Sequence, residues 1–159
     1  MSDLNIELLK RLCETPGVSG REGKIAAQVR DELRPICDDV TVDTFGNVTG
    51  VRKGSGGPKV MLAAHTDEIG FLVSHIDEQG FLRVQPIGGF DITVLPAQRV
   101  MVWDRAGNSH RGAFMISTKP AHLLDGTENS KFKTSDLFID LGMTAEQVKA
   151  TVNLGDQIT

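Results

Sequence analysis

The sequence predicts an α/β chain in which a helical N-terminal segment, ending in a buried strand, precedes a β-rich part folded as a small barrel or sandwich. Three observations predict this. Two amphipathic helical patterns come first, an apolar run at residues 60–64 has the length of a buried strand, and short β-like runs alternate with turn sequences from Gly70 onward. Because 159 residues suffice for two small cores, we expect separate domains at residues 1–69 and 70–159.

Two helices are predicted at the start of the chain. The first is indicated by leucines at helical spacing, namely Leu4, Leu8, Leu9 and Leu12. It ends where Pro16 and Gly17 break the pattern. The second is indicated by one apolar stripe, formed by Ile25, Ala26, Val29 and Leu33. Ser19 and Glu22 have the spacing of a capping box for this second helix, and Pro35 closes it.

A hairpin, a loop and a buried strand are predicted next. Valine-rich runs at residues 40–42 and 48–51 flank the turn at Phe45-Gly46-Asn47. The glycine-rich residues 54–58 lack the G-x-x-x-x-G-K-[ST] pattern of a phosphate-binding loop, so they read as a connector. The strand at residues 60–64 then ends in His65, Asp67 and Glu68. Because ligands bind at the carboxyl ends of strands in open α/β sheets, these side chains are placed to hold a metal or move a proton.

The part after Gly70 reads as several short strands and one helix. Turn sequences separate the predicted strands at residues 71–76, 81–85, 98–103, 110–116 and 137–141. A long polar loop is expected at residues 119–135. Thr144 and Gln147 fit a capping box for a short helix that runs to about Ala150. The Ile-Thr ending reads as the start of a further strand.

The H-x-D-E pattern occurs twice. His65-Thr66-Asp67-Glu68 is followed ten residues later by His75-Ile76-Asp77-Glu78. The second copy runs into Gln79-Gly80 between two apolar runs, so a hairpin turn explains its acidic residues and we interpret His75 as structural. The first copy follows an apolar run and is harder to explain by turn formation.

Composition and charge exclude several partners. The net charge of −4 gives no footprint for nucleic acid, and no basic cluster suggests an anionic membrane surface. No stretch has the length of a membrane span and the start lacks a signal-peptide pattern, so we expect a cytoplasmic protein. Cys13 and Cys37 lack metal-site or disulfide-framework spacing and are expected to be reduced thiols.

A single H-x-D is a weak signal for a metal site. A zinc site needs three or four ligands, and His65 alone cannot supply them. His110 and His122 are the other available histidines, but neither has a diagnostic spacing to His65 or a flanking acidic pattern. We do not expect either of them to be a metal ligand.

Several motifs together resemble the M42 family of metallo-aminopeptidases, which includes glutamyl and TET-like enzymes. They are L-L-K-R-L-C-E-T-P-G-V-S-G-R-E-G, V-D-T-F-G-N-V, A-A-H-T-D-E-I-G-F, K-P-A-H-L-L, L-F-I-D-L-G and L-G-D-Q-I, in the family's order. The resemblance implies an α/β phosphorylase/hydrolase-like peptidase domain into which a small β-barrel, PDZ-like domain for oligomerisation is inserted. It also implies a homo-oligomer that removes N-terminal residues from peptide substrates.

The resemblance further implies roles for two residues. His65 is a ligand to one of two divalent metal ions, zinc or cobalt. Asp67 is the acidic residue of the catalytic site that accepts a hydrogen bond from the other ring nitrogen of His65 and so fixes its tautomer. Glu68 receives no role. In the family the two metals polarise the scissile carbonyl and activate a water, and a glutamate moves the proton.

The other metal ligands and the glutamate base of the family are not found in these 159 residues. We therefore expect an N-terminal portion of the enzyme that is inactive alone. We also expect the apolar faces of its first helices and of the strand at residues 60–64 to lack other elements that cover them. Two alternatives stay open. One is a non-catalytic self-association module formed by the β-rich part. The other is a glycan hydrolase, because relatives have been labelled as cellulases, although Asp38-Asp39 and Asp67-Glu68 offer no facing carboxylates.

Overall fold

The computed structural model describes residues 5–117 and 133–159, and the fold is α/β. The chain divides into two compact units, Met1–Glu68 and Ile69–Thr159. Within the described residues, no helix has the length and apolar character that crossing a bilayer requires. Cys13 and Cys37 are both free thiols, as expected. The predicted Leu4 and most of the predicted loop at residues 119–135 lie outside the described residues.

The first unit contains two helices and a hairpin, as predicted. Helix α1 spans Ile6–Glu14 and α2 spans Gly23–Leu33. The side chain of Asn5 caps α1 by accepting from the amide of Leu8 at 3.0 Å. Strands β1 (Asp39–Val42) and β2 (Val48–Val51) pair in antiparallel register from Asp39 opposite Val51 to Val42 opposite Val48. The buried apolar residues in the described part of the first unit are Val18, Ile25 and Ala26.

The predicted capping box at α2 is wrong. Glu22 is itself the residue that precedes the helix, and no side chain caps it. Instead, the Glu22 carboxylate accepts from the amide of Gly20 at 2.6 Å, while the Ser19 hydroxyl donates to Asp67. A distant carboxylate has thus replaced the local backbone amide as the partner of Ser19.

The predicted buried strand at residues 60–64 is also wrong for this chain. Val60, Met61 and Leu62 are 82%, 87% and 94% exposed, and these residues pair with no strand among the described parts of the chain. An apolar strand of this kind is buried only when neighbouring strands pair with it and layers cover both faces. The described residues of the first unit supply only the β1–β2 hairpin as a sheet.

The second unit is a closed antiparallel barrel, which decides between the predicted barrel and sandwich. In the part of this unit that the structure describes, six strands close in the order β3-β4-β7-β6-β5-β8. They are β3 (Gly70–Ile76), β4 (Leu82–Ile87), β5 (Arg99–Trp103), β6 (Ser109–Ile116), β7 (Leu137–Asp140) and β8 (Gln157–Ile158). The predicted strands and the predicted terminal strand are therefore confirmed to within a few residues.

Helix α3 (Ala145–Thr151) begins at the predicted capping box. The Thr144 hydroxyl accepts from the amide of Gln147 at 3.3 Å, and the Gln147 side chain accepts from the amide of Thr144 at 2.9 Å. Val148 on this helix is 1% exposed and joins the barrel core. The helix therefore covers the barrel with an apolar side chain.

The barrel core consists of inward-facing residues that alternate along the strands. Its fully buried side chains include Leu82, Val102, Phe114, Leu137, Ile139 and Ile158. Phe71 stacks on Phe90 with ring centroids 4.3 Å apart and meets Phe114 edge-on at 4.9 Å. Thr159 extends the pairing of β8, because its amide and carbonyl both bond to the backbone of Met101.

Candidate functional site

His65 and Asp67 contact each other just after the exposed segment at residues 60–64. The Nδ1 atom of His65 lies 2.9 Å from the Asp67 backbone oxygen and 3.0 Å from Asp67 Oδ1. Both oxygens can only accept, so the proton of the neutral imidazole is on Nδ1 and the lone pair is on Nε2. The His65 side chain is 86% exposed. In this tautomer the Nε2 lone pair is the kind of donor that a metal-binding imidazole uses.

The second carboxylate oxygen of Asp67 is held by Ser19. Ser19 Oγ donates to Asp67 Oδ2, while Oδ1 faces His65. These contacts lower the pKa of Asp67 below its ordinary value, first through the hydrogen bond from Ser19 and then through the one from His65. Asp67 is therefore a carboxylate at neutral pH, and each of its oxygens has a defined partner.

Glu68 connects the same segment to the turn before α2. Its amide donates to the Gly17 carbonyl at 2.9 Å, and its Oε1 accepts from the Gly17 amide at 3.1 Å. Val18 forms a parallel bridge to Glu68. A Cβ on Gly17 would lie 2.6 Å from Cγ2 of Ile25, so only glycine permits this close approach of the turn to α2. Glu68 thus has a structural role.

Sequence reasoning missed Ser19 and Gly17 as parts of this site. Both were explained by local structure, Ser19 as a helix cap and Gly17 as a helix breaker. The signal was present only in the T-P-G-V-S-G stretch that contributed to the family resemblance. No spacing rule relates Ser19 to a carboxylate that is 48 residues away.

The second H-x-D-E copy has different contacts. Asp77 Oδ1 accepts from the amides of Gln79 at 3.0 Å and Phe81 at 2.9 Å, and Gly80 has φ +89°. These contacts build the hairpin turn between β3 and β4 that the sequence predicts. His75 is an exposed residue of β3, opposite Arg83. The structural interpretation of this copy agrees with these contacts.

Two further histidines remain, His110 and His122. His110 lies on β6 in the second unit, where Nε2 is 3.0 Å from Asp104 Oδ2. His122 lies outside the described residues. Within residues 5–117 and 133–159, no group of three or more His, Cys, Asp or Glu side chains is arranged around a common metal position.

The donor chemistry fits one corner of a transition-metal site. A neutral imidazole suits zinc or cobalt, and an aspartate on its other nitrogen is the usual partner of a metal-binding histidine. The described residues supply one such imidazole and the carboxylate beside it. Further ligands would have to come from elsewhere.

Comparison with known proteins places the chain in a family. The model of the M42 glutamyl aminopeptidases matches residues 46–159. FrvX of Escherichia coli K12, described as a candidate aminopeptidase, is 36% identical over 158 residues, which are 98% of this chain and 44% of FrvX. Lysyl aminopeptidase of Pyrococcus furiosus is 38% identical over 144 residues, 89% of this chain and 40% of that enzyme. The chain thus spans less than half the length of these relatives.

Solved structures of peptidases also match this chain over nearly its whole length. An aminopeptidase from Desulfurococcus kamchatkensis matches with a TM-score of 0.85 at 42% identity, over 96% of this chain and 42% of that one. The TET1 peptidase of Pyrococcus horikoshii, which can assemble into a tetrahedron or a large octahedral shell, gives 0.80 at 33%, over 97% and 46%. A Thermotoga maritima protein described as an endoglucanase gives 0.77 at 30%, over 95% and 43%. The chain belongs to the M42 glutamyl aminopeptidase family.

Proposed function

We propose that this chain is the N-terminal portion of a metal-dependent aminopeptidase that removes N-terminal residues from peptides. The observation that carries the proposal is the His65–Asp67 pair, in which the Nδ1 proton is held by acceptors and Nε2 is left for a metal. The family and the names of its relatives support a peptidase. Their aminopeptidase activity is a property of proteins more than twice as long as the matched region.

In this proposal His65 holds one of two divalent ions, zinc or cobalt, through Nε2. A bound pair of such ions supplies Lewis acidity toward the peptide carbonyl and a water of lowered pKa. Asp67 keeps the imidazole in the metal-binding tautomer and makes it more basic. The resemblance assigns the remaining ligands and the glutamate base to the part of the relatives that this chain does not cover.

The test uses the polypeptide encoded by the complete reading frame that contains this chain. We expect it to release a chromophore from aminoacyl substrates and to lose this activity with a chelator. His65→Ala should lower kcat/KM by at least about 100-fold because a ligand is removed. His75→Ala is the matched control, since it removes an exposed histidine from the second H-x-D-E copy.

Two results would contradict the proposal. One is activity that survives both chelation and His65→Ala. The other is an equal loss in His65→Ala and His75→Ala, which would show that the activity does not depend specifically on His65. The 159-residue chain should be inactive in the same assay because no cluster of three metal ligands is found among its described residues.

A second candidate is a non-catalytic self-association module. It is favoured by the second unit, whose barrel closes on itself without strands from elsewhere, and by assembly of a relative into a shell. The PDZ-like character of this unit, its insertion for oligomerisation and a cytoplasmic location belong to the first proposal, the aminopeptidase. Light scattering of the chain should detect a homo-oligomer, and about two metal ions bound per chain would contradict a purely structural module.

The glycan hydrolase alternative is supported by two solved structures, one described as an endoglucanase and one as a peptidase/endoglucanase. Glycosidases need two carboxyl groups that face each other across the scissile bond. Here the Asp67 carboxylate is bonded to Ser19 and His65, and an oxygen of Glu68 is bonded to the amide of Gly17. Asp38 accepts from the amide of Lys53 at 2.5 Å. Release of reducing sugar from cellulose by pure protein would revive this alternative.

A further inference from the structure

We propose that Ser19 is a positioning residue of the metal site, which acts by holding the Asp67 carboxylate against His65. The inference rests on the proposed function in so far as His65 is a metal ligand. It adds a residue 46 positions before His65 to the supporting structure of that ligand. The hydroxyl of Ser19, rather than the bulk of its side chain, is what the site requires.

The backbone places Ser19 without help from its hydroxyl. Glu68 is tied to Gly17 by one backbone bond and one side-chain bond. Val18 is 0% exposed and bridges to Glu68, and its carbonyl accepts from the amide of Arg21 at 2.7 Å. Ser19 follows Val18 in this fixed turn, as Asp67 precedes Glu68. Removing the hydroxyl should therefore leave the turn in place.

The hydroxyl determines where the carboxylate points. Asp67 Oδ2 accepts from Ser19 and Oδ1 faces Nδ1 of His65 at 3.0 Å, so one hydrogen bond on each oxygen sets the plane of the carboxylate. The Asp67 side chain is 39% exposed and that of His65 is 86% exposed, so water competes for both. Without Ser19, rotation of the carboxylate would leave the His65 ring held by the Asp67 backbone oxygen alone. The ring would then lose its defined orientation.

The first test measures the His65 ring in the 159-residue chain at constant neutral pH by side-chain NMR. We expect Ser19→Ala to move the Nδ1 resonance of His65 toward its value in Asp67→Ala. Ser19→Thr, which keeps a hydroxyl, should retain the original resonance. Adding Ser19→Ala to Asp67→Ala should cause no further shift because Ser19 acts through Asp67. Ser55→Ala, in the exposed loop after β2, is the matched control and should change nothing.

The second test measures Co²⁺ affinity of the metal-free complete polypeptide by competition with a chelator dye. Ser19→Ala should weaken binding about tenfold, and Ser19→Thr should restore it to within about twofold, as expected for a partner of a metal ligand. The amide resonances of Gly17 and Glu68 in the chain report whether the turn is intact. If Ser19→Ala shifts these amide resonances, the comparison of Ser19→Thr with wild type decides whether the Ser19 hydroxyl is what the site requires.

Three results would overturn the inference: an unchanged His65 resonance in Ser19→Ala, an altered one in Ser19→Thr, or equal effects of Ser19→Ala with and without Asp67. Failure of the proposed function looks different. In that case the complete polypeptide binds no Co²⁺, while the NMR comparison in the chain still confirms or refutes the link from Ser19 through Asp67 to His65.

Discussion

At the scale of single residues, contacts and not residue types determine roles. The H-x-D-E pattern begins at both His65 and His75, and the pattern alone, without its sequence context, does not rank the two copies. The structure separates them, because Asp67 bonds to a histidine and a serine whereas Asp77 bonds to the amides of its own turn. The His65–Asp67 contact is one that the family resemblance implies, whereas the H-x-D spacing alone is a weak signal. The Ser19 contact could not be predicted, because it depends on how distant segments fold together.

Asp104 is the residue for which the structure predicts a pH effect on stability. It accepts from His110 at 3.0 Å and from the amide and side chain of Asn108 at 2.8 and 3.0 Å. These bonds, that from His110 first, lower the pKa of Asp104 from 3.8 to about 2. A carboxyl group whose pKa is lower in the folded than in the unfolded protein stabilises the fold at pH values above its unfolded-state pKa. This contribution should be complete above about pH 5 and should disappear as the pH falls through about 4 toward 2.

The measurement is urea unfolding between pH 2 and about pH 6, followed by the fluorescence of Trp103, the only tryptophan and the neighbour of Asp104. The difference in unfolding free energy between wild type and Asp104→Asn should shrink as the pH falls across this window. His110→Ala removes the principal cause of the lowered pKa of Asp104. The pH range over which the stability contribution of Asp104 is lost should therefore end at a higher pH in this variant. A difference that is independent of pH would refute the prediction.

At the scale of elements, three hairpins use one turn design. Each has the sequence D-x-x-G-x, beginning at Asp43, Asp77 and Asp104. In each, the glycine amide donates to the aspartate carbonyl and the aspartate amide donates to the carbonyl of the fifth residue. The glycines Gly46, Gly80 and Gly107 have φ between +86° and +89°. The sequence predicts these hairpins well because the signal is local and the turn requires a left-handed residue.

Gly80 is the turn glycine for which we expect the largest effect of substitution. A Cβ at Gly80 would lie 2.9 Å from Cα of Ala145 on α3, which is backbone and cannot move alone. Gly142 also has positive φ, but a Cβ there meets nothing within 4 Å. Gly142→Ala should therefore cost only the left-handed strain of about 1–2 kcal/mol. Gly80→Ala should cost clearly more.

Both variants lie in the barrel, so urea unfolding followed by Trp103 fluorescence compares them directly. The matched pair separates backbone strain from the close approach of the turn to α3. Equal losses of stability in Gly80→Ala and Gly142→Ala would mean that the contact with Ala145 carries no weight.

At the scale of the whole molecule, the two units differ in how completely they bury their apolar residues. Counting only the residues that the structure describes, the barrel has a continuous core of thirteen buried side chains. The first unit exposes Ile6, Leu9, Val60, Met61 and Leu62 by between 46% and 94%. The alternating pattern and turns of the barrel are local signals, so its strands could be predicted closely. Burial of residues 60–64 depends on neighbouring strands, so the apolar run predicted a strand that the described residues do not form.

This difference predicts unequal protection within the 159-residue chain. Amide hydrogen exchange should be fast at residues 60–64, which pair with no strand in the described parts of the chain, and slow in β3 and β6 of the closed barrel.

Leu62→Ser, at a side chain that is 94% exposed, should change the unfolding free energy of the barrel by less than about 0.5 kcal/mol. Leu82→Ala, at a side chain that is 0% exposed, should cost about 2–5 kcal/mol. If hydrogen exchange at residues 60–64 were as slow as in β3, this segment would be paired with another strand in solution. The apolar run would then form a strand within this chain, which would contradict the prediction.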